Sequence, residues 1–421
     1  MTDPSTTTRI PRPAGDVAVR FPAGHPPLSV DDLLAQVSEA TPALEVGDER
    51  VRAFLAAFGK RLLRPALARR HPELGSLGFF LRRSELARTV EGLTTSHVRV
   101  PRGLVFHLPP ANVDTVFVYS WALSALMGNR NVVRLSPRSG AVADVIVDTL
   151  QETLADADPL VAATQRIVSY DRRAESVTAA LSAACDLRVI WGGDQTVREV
   201  RRHPLAPHAR DLTFPDRSSF AVVNAAAWLC APRAARVSAA EGFVNDSYWF
   251  DQAACSSPRT VFWVGADGDC DAARADFTDQ VSRVLTGRGW GVDAAMAVEK
   301  RVSVYGLAAD GLVDHIEFRG NALANVTLAA AAAMPRRWLG AGTFAHARVG
   351  ALADLVPLVA RKDQTMTHFG FAQPELEGLA KDLAGRGVDR MVPVGSALAF
   401  HRVWDGVDLP NEFTRLVTII K

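Results

Sequence analysis

One of the four cysteines stands where a thiol could do chemistry: Cys255, in Asp251-Gln-Ala-Ala-Cys-Ser-Ser-Pro-Arg259. Small residues surround it, so the sulfur can face a cleft with little steric cover, and Pro258 helps to break the turn. The preceding helix presents its C-terminal side, which does nothing to favour a thiolate. Activation would have to come from other groups. The competing reading is the usual fate of a free cysteine, a small buried apolar side chain. No CxxC pair occurs among Cys185, Cys230, Cys255 and Cys270, which argues against a zinc site or a disulfide framework.

Asn112 closes the prolyl-stiffened loop Leu108-Pro-Pro-Ala-Asn112. An amide held at a fixed point can stabilise an oxyanion. It can equally cap the helix that follows. Gly192-Gly193-Asp194 stands between a strand and a helix. Glycines there let backbone amides approach a phosphate, but the pattern is not G-x-G-x-x-G, and a plain tight turn explains it as well. Arg134, Ser136 and Arg138 end another strand and could hold an adenosine ribose and its 2′-phosphate; solvated surface is the alternative. Arg198, Arg201, Arg202 and His203 form a basic run of the kind that usually marks a solvated helix face. The histidines show no metal-ligand spacing such as H-E-x-x-H, so no metal is expected.

The elements that must position these residues follow from periodicity. Residues 1–28 are rich in Pro, Gly and Thr and read as a flexible lead-in with room for short ordered pieces. Helical periodicity covers 29–38, 49–64 (stopped by Pro65) and 78–91, a helical region extending to 95. From 103 the texture changes. Strands are expected at 103–107, 131–135, 166–170 and 187–191. Helices alternate with them at 113–127, 141–157, 174–185 and 196–202. That alternation predicts a parallel, doubly wound sheet with ligands at the strands' carboxyl ends. A second α/β unit has helices at 234–250 and 271–286 around a strand at 260–264.

Composition limits the function classes. The chain has 421 residues, 48% hydrophobic and 22% charged, with net charge +1. This is ordinary globular composition, without the clustered positive excess of a nucleic-acid binder. Lysine occurs only at Lys60, Lys300, Lys362, Lys381 and Lys421, so an arginine cluster carries little weight. The start, MTDPSTTTRIPRP, has no apolar signal core, and the run 116–127 is too short to span a bilayer. A cytoplasmic protein is expected, consistent with few, scattered cysteines.

Six stretches together resemble the acyl-CoA reductase family, known for the fatty-acid reductase of bacterial bioluminescence, within the aldehyde dehydrogenase superfamily. They are PELGSLGFFLRRSEL (72–86), VPRGLVFHLPPANVDTVFVYSWALSALMGNRNVVRLS (100–136), VIWGGDQTVREVR (189–201), DLTFPDRSSFAVV (211–223), DSYWFDQAACSSPRTVFWVG (246–265) and DRMVPVGSALAFHRVWDG (389–406). The second and fifth are the most specific.

The resemblance implies an aldehyde dehydrogenase-like α/β fold. A Rossmann-type NADP(H) domain would cover 96–233 and a catalytic thiol domain 234–388, with the site in the cleft between them. A helical region (29–95) would precede them. A segment (389–421) would return to the cofactor domain or cleft rim, with no catalytic role for 401–406. Cys255 falls on the catalytic thiol and Asn112 on the oxyanion asparagine. Arg134 falls on the adenosine-ribose position, Ser136 and Arg138 on the 2′-phosphate side, and Gly192 and Gly193 on the diphosphate turn. The cofactor implied is NADPH, and the reaction is reduction of an acyl-CoA or carrier-bound thioester to an aldehyde. Oxidation of an aldehyde to acyl-CoA, reduction of an acyl phosphate, and a non-enzymatic scaffold are the competing readings. A homo-oligomer is expected, with an acyl-transferring synthetase as a further candidate partner.

One departure is informative. Hydrolytic aldehyde dehydrogenases carry a Glu that activates water, and here the corresponding stretch, 210–217, has none. Asp211 or Asp216 could stand in only with a shorter side chain beside Pro215. Glu241, on the preceding helix, is not assigned that role.

Overall fold

The computed structural model describes residues 16–38, 43–110, 115–137 and 139–420. Asn112, Arg138 and residues 1–15 of the expected lead-in lie outside them. The chain divides into two compact units, one running to Pro215 and resuming at Asp408, the other spanning Asp216–Val407.

The first unit opens with helices Val30–Ser38, Glu49–Leu62, Pro65–Arg70, Glu73–Phe80 and Arg83–Glu91. Asp48 caps the second of these by accepting from the Arg50 N–H at 2.9 Å. Pro65 does more than stop a helix: it begins the next one, where its missing N–H is no loss. The periodicity over 78–91 splits in two because Arg82 is extended (ψ 148°).

The strands of this unit are β1 (Ala18–Phe21), β2 (Val98–Pro101), β3 (Leu104–Leu108), β4 (Arg130–Leu135), β5 (Gln165–Ser169), β6 (Leu187–Trp191) and β7 (Arg210–Phe214). Six form a sheet of order β1-β5-β4-β3-β6-β7. All its pairs are parallel except β1 with β5. Within 1–28, β1 is a short ordered piece: Ala18–Phe21 pairs with β5, and Val17 bridges to Leu28. β2 pairs instead with Thr414–Val417 near the end of the chain.

β3 is buried along its whole length, as a central parallel strand should be. The apolar helix Thr115–Leu126 lies alongside. A buried polar chain ties them. The two ring nitrogens of His107 lie 2.9 Å from Ser120 Oγ and 2.9 Å from Asn131 Oδ1. Asn131 and Trp121 then both donate to Gln165 Oε1 at 2.8 Å. Burial pushes His107 down to about 4, so it is neutral at physiological pH.

Gly128 ends that helix in the left-handed region (φ 80°), and a Cβ there would lie 2.7 Å from the Glu45 carbonyl oxygen. Gly128→Ala is therefore expected to cost about 2 kcal/mol from strain and the clash together. A thermal melt of the variant checks this.

The second unit carries β8 (Ser218–Asn224), β9 (Pro258–Val264), β10 (Val313–Arg319), β11 (Leu323–Leu328), β12 (Thr343–Val349), β13 (Asp363–Phe369) and β14 (Arg390–Pro393). Their order is β10-β11-β12-β9-β8-β13-β14. Only β10 with β11 is antiparallel. Alternation sends neighbouring residues to opposite faces. Ala221, Val223, Val261 and Trp263 pack with Trp228, Phe243 and Phe277. Phe220, Val222, Phe262 and Val264 pack with Leu355, Met366 and Leu379.

The expected boundaries at 233/234 and 388/389 both move. β8 pairs with β9 and β13, so the second unit begins at Asp216. β14 pairs with β13, so 389–407 stays with that unit and only the chain from Asp408 joins the first.

Candidate active site

Cys255 lies in the turn between helix Arg233–Tyr248 and β9. The turn is held from several sides. Asp251 and Gln252 are consecutive left-handed residues (φ 48° and 60°), a strained pair that needs outside support. The buried Gln252 side chain supplies it. Its amide donates to Pro258 O at 2.8 Å and Thr343 O at 3.0 Å, and accepts from Thr343 N at 3.1 Å. Ser219 Oγ donates to Cys255 O at 2.6 Å and accepts from Thr365 N at 3.1 Å. Ser257 Oγ donates to Asp246 O at 2.6 Å. The thiol is thus anchored to β8, β9, β12 and β13 at their amino ends.

Gln252→Ala would remove three hydrogen bonds: one to the Thr343 N–H, which keeps Gly340 O at 3.2 Å, and one each to the Thr343 and Pro258 carbonyls. An expected loss of about 2–3 kcal/mol follows from these lost buried bonds. Denaturant unfolding together with the alkylation rate of Cys255 checks it, since loosening the turn should change thiol access as well as stability.

Cys255 is half-buried. Burial is the main influence on its thiol and pushes the pKa up. The Arg217 backbone N–H faces it and pulls down, Asp405 pushes up, Arg259 pulls down, and Asp216 pushes up. The free thiol is therefore set towards its protonated form. Arg259 is buried, donates to Arg336 O at 3.2 Å, and its Nε has no hydrogen-bond partner among the described residues.

Asp246 and the loop after β14 form a second support. The Asp246 carboxylate accepts from Gly395 N at 2.6 Å and Ala397 N at 2.9 Å. The loop lies directly on the helix, because a Cβ on Gly242 would be 2.8 Å from Gly395 Cα. Asp246 thus joins two of the quoted sequence stretches, 246–265 and 389–406.

The candidate water-activating groups are occupied elsewhere. Asp211 binds the buried Arg188 guanidinium through both oxygens, at 2.7 and 3.0 Å. Asp216 is exposed and ion-paired with Lys362 at 2.7 Å. Glu241 is exposed on its helix.

In the first unit, Arg134, Gly192 and Gly193 lie at the carboxyl ends of β4 and β6, and Ser136 follows β4. Arg134 donates to Tyr170 O at 3.3 Å and stacks over the Tyr170 ring at 5.0 Å. Its Nε is buried without a partner among the described residues. A side chain at Gly193 would meet nothing within 4 Å, so the turn leaves open space. The helix after it, Asp194–Val200, starts two residues earlier than periodicity suggests. Arg198, Arg201 and Arg202 are exposed, as a solvated face would be. Asn112 and Arg138 cannot be placed, because they fall outside the described residues.

A cavity of about 240 Å³ in the second unit opens among Trp263, Arg274, Thr327, His346 and Arg348. Apart from Arg274, on helix Asp267–Gly287, these residues lie towards the carboxyl ends of β9, β11 and β12, the end opposite Cys255, so this is not the thiol's pocket. Among the described residues no group of His, Cys, Asp and Glu could hold a metal ion, and no helix is long and apolar enough to cross a membrane.

The family model for acyl-CoA reductase (LuxC) matches residues 44–285, more than half of the chain. The chain belongs to the acyl-CoA reductase family. The matched span includes Asn112, Arg134, Gly192, Gly193 and Cys255, and it ends before β10.

Among curated relatives, the long-chain acyl-protein thioester reductase of Photorhabdus luminescens is 25% identical over 333 residues, 77% of this chain and 65% of that one. The enzyme of the same name from Aliivibrio fischeri is 27% identical over 168 residues, 39% of this chain and 33% of that one. The chain thus spans less than two thirds of either relative. Aldehyde dehydrogenase 21 from Physcomitrella patens superposes with TM-score 0.66 at 11% identity, covering 92% of this chain and 89% of that one. A Mycobacterium tuberculosis aldehyde dehydrogenase complexed with NAD+ gives 0.62 at 13%, covering 99% and 95%. The reductase family member therefore has an aldehyde dehydrogenase-like α/β fold.

Gln252, Asp246, Arg259 and Asp405 were not singled out by sequence reasoning. Each lies inside a quoted family stretch, but nothing in residue type or spacing separates a turn-holding Gln from a surface one.

Proposed function

We propose that this acyl-CoA reductase family member reduces an acyl thioester to an aldehyde through a covalent thioester on Cys255. The observation that carries this reading is the anchoring of one half-buried thiol with the Arg217 N–H towards its sulfur. Cys255 Sγ attacks the acyl carbonyl carbon and forms the new C–S bond. The donor's C–S bond breaks, and the proton released by the thiol goes to the departing thiolate. Asn112 and the Cys255 backbone N–H hold the oxyanion during this exchange.

A nicotinamide cofactor fits the first unit: the Gly193 turn after β6 has open space, and the unpartnered Arg134 Nε stands at the end of β4, with only β3 between the two strands. Arg134, Ser136, Arg138, Gly192 and Gly193 would hold it, with Ser136 and Arg138 favouring the 2′-phosphate of NADPH. When bound, it supplies hydride to the acyl carbonyl. Cys255 Sγ is then expelled as the aldehyde C=O re-forms.

The occupied Asp211 and Asp216 support a thioester that outlasts water, because neither is free to activate it. Exposed Val98, Leu416 and Val417 on the ribbon of β2 with Thr414–Val417 favour a homo-oligomer. A cytoplasmic location suits this chemistry, and an acyl-transferring synthetase would be a fitting partner.

The test is consumption of NADPH, with NADH alongside, on a panel of acyl-CoAs, a carrier-bound acyl group and an acyl phosphate, with aldehyde measured. Thioester-dependent aldehyde formation supports the proposal and gives the chain-length preference. Turnover of the acyl phosphate alone would select the competing donor class. Oxidation of aldehyde only, with CoA, would reverse the assigned direction.

A further inference from the structure

We infer that the second unit carries a further binding site, for a small oxyanion (a carboxylate or phosphate group), in the crevice at the carboxyl ends of β9 and β12, with Arg274 and Arg348 holding the anion. The site lies at the end of the sheet opposite Cys255 and does not depend on the reading of that thiol.

The path of the chain opens this crevice. β9 and β12 are parallel neighbours. After β9 the chain enters helix Asp267–Gly287, whose Cys270, Ala273 and Phe277 pack with Val261 and Trp263 on one face of the sheet. After β12 it enters the short turn Leu352–Leu355, and Leu355 packs with Phe262 and Ala347 on the other face. The two connections thus part to opposite faces and leave a gap between the strand ends. Such switch points are where open α/β sheets bind ligands. The cavity of about 240 Å³ stands there. It is smaller than the ~300–1,000 Å³ of a drug-sized pocket, which limits an occupant to a small molecule.

The floor is polar but neutral. The Trp263 indole N–H donates to His346 Nδ1 at 3.1 Å, and His346 Nε2 stands 3.0 Å from Asn325 Oδ1. Burial, with the Arg274 cation second, pushes His346 down to about 3, so it brings no charge. Asn325 Nδ2, one hydrogen bond behind this wall, is buried with no partner among the described residues.

Charge comes from the two arginines. Arg274 Nη1 donates to Thr327 Oγ1 at 2.6 Å, and the accepting hydroxyl keeps its own proton to donate. The carboxylates beside the guanidinium groups are loosely held. Asp271 lies 3.6 Å from Arg274 and 3.4 Å from Arg348, and Asp267 lies 3.6 Å from Arg348. Charge-assisted bonds run at ~2.7–2.9 Å. Arg188 and Arg336 meet their carboxylates at 2.7 and 2.8 Å. One carboxylate is therefore shared by two guanidinium groups with a close bond to neither, and both keep N–H donors for an oxyanion. Asp271 and Asp314, also on the lining, disfavour a large polyanion.

The experiment is calorimetric titration of the full chain at constant ionic strength with inorganic phosphate and with malonate, chloride serving as the screening control. At least one of the two should bind saturably, and binding of one alone names the head group the site takes. Arg348→Gln should weaken that binding about tenfold or more, through the loss of a charged donor. The variant should fold, because the side chain is exposed and makes only loose pairs. Arg274→Gln should weaken it as well. Asp271→Asn should tighten it several-fold, because the competing carboxylate is gone.

Absence of saturable binding by either anion overturns the inference. So does binding that is unchanged in folded Arg348→Gln and Arg274→Gln proteins. Binding lost in Arg134→Gln but kept in both of those would place the anion at the end of β4 and overturn it too. An Asp271→Asn protein that binds no more tightly than the parent contradicts the competition on which the geometry rests, and the inference fails.

Discussion

Cys255→Ala should abolish thioester-dependent aldehyde formation, lowering turnover by about 10³-fold or more, while the melting temperature and NADPH binding stay close to the parent's. The argument is chemical. Direct hydride transfer to the donor thioester would require it to sit where the enzyme-bound acyl group sits. Without the sulfur, the oxyanion donors face no covalent intermediate. The substitution itself is mild, since a half-buried side chain loses one sulfur and the turn is held through Gln252, Ser219 and Ser257 rather than through the thiol. Cys255→Ser is the sharper comparison: it keeps the shape and replaces sulfur by a much weaker nucleophile. It should be nearly as inactive as the alanine variant. Retained turnover in a folded Cys255→Ser protein would remove covalent catalysis from the account.

The second large effect concerns Asp246 and is a matter of stability and pH. Burial is the main cause that raises this carboxyl from an ordinary 3.8 to about 7, in spite of the N–H groups of Gly395 and Ala397. The sign follows from proton counting. Between those two values the folded protein keeps a proton that the unfolded chain has released. Stability from this group is therefore full below about pH 4 and is lost as pH rises to about 7, by a few kcal/mol. Asp405 adds a smaller loss of the same sign, up to about pH 6.

Asp246→Asn removes the titration and should flatten this part of the pH profile. Its single amide oxygen can accept from only one of the two N–H groups, so it should be about 1–3 kcal/mol less stable than the protonated parent. Asp246→Ala loses both acceptors. It strands two backbone donors, each worth about 1–3 kcal/mol when buried and unmet, and should be strongly destabilised throughout. Urea unfolding of the three proteins at pH 5 and pH 8 separates these outcomes.

Much of the first unit is legible from the order of residues alone. β6 is expected and found at Leu187–Trp191, because an apolar run bounded by Asp186 and Gly192 leaves one solution. The helix Thr115–Leu126 is likewise plain from its lack of a polar face. Beyond residue 287 little is legible. β10 alternates weakly and is half-exposed, and β14 is short, so neither has the pattern of a buried strand. The unit boundary was misplaced because β8 follows β7 after only three residues, Pro215 to Arg217, yet pairs in the other sheet. Continuity of texture conceals a change of partner.

The site divides in the same way. Cys255 could be singled out by residue type and setting. Gln252, Asp246 and Asp405 act through hydrogen bonds to backbone groups and residues far along the chain, among them Thr343, Gly395 and Gln364, and such pairings have no local signature.

The most direct measurement of the central claim is the mass of the intact protein after mixing with an acyl-CoA in the absence of reductant. The account expects a gain of one acyl group, mapped by proteolysis to Cys255 and discharged as aldehyde when NADPH is added. A protein that turns the same thioester over, yet carries no acyl group on Cys255 or carries it on another residue, would contradict it.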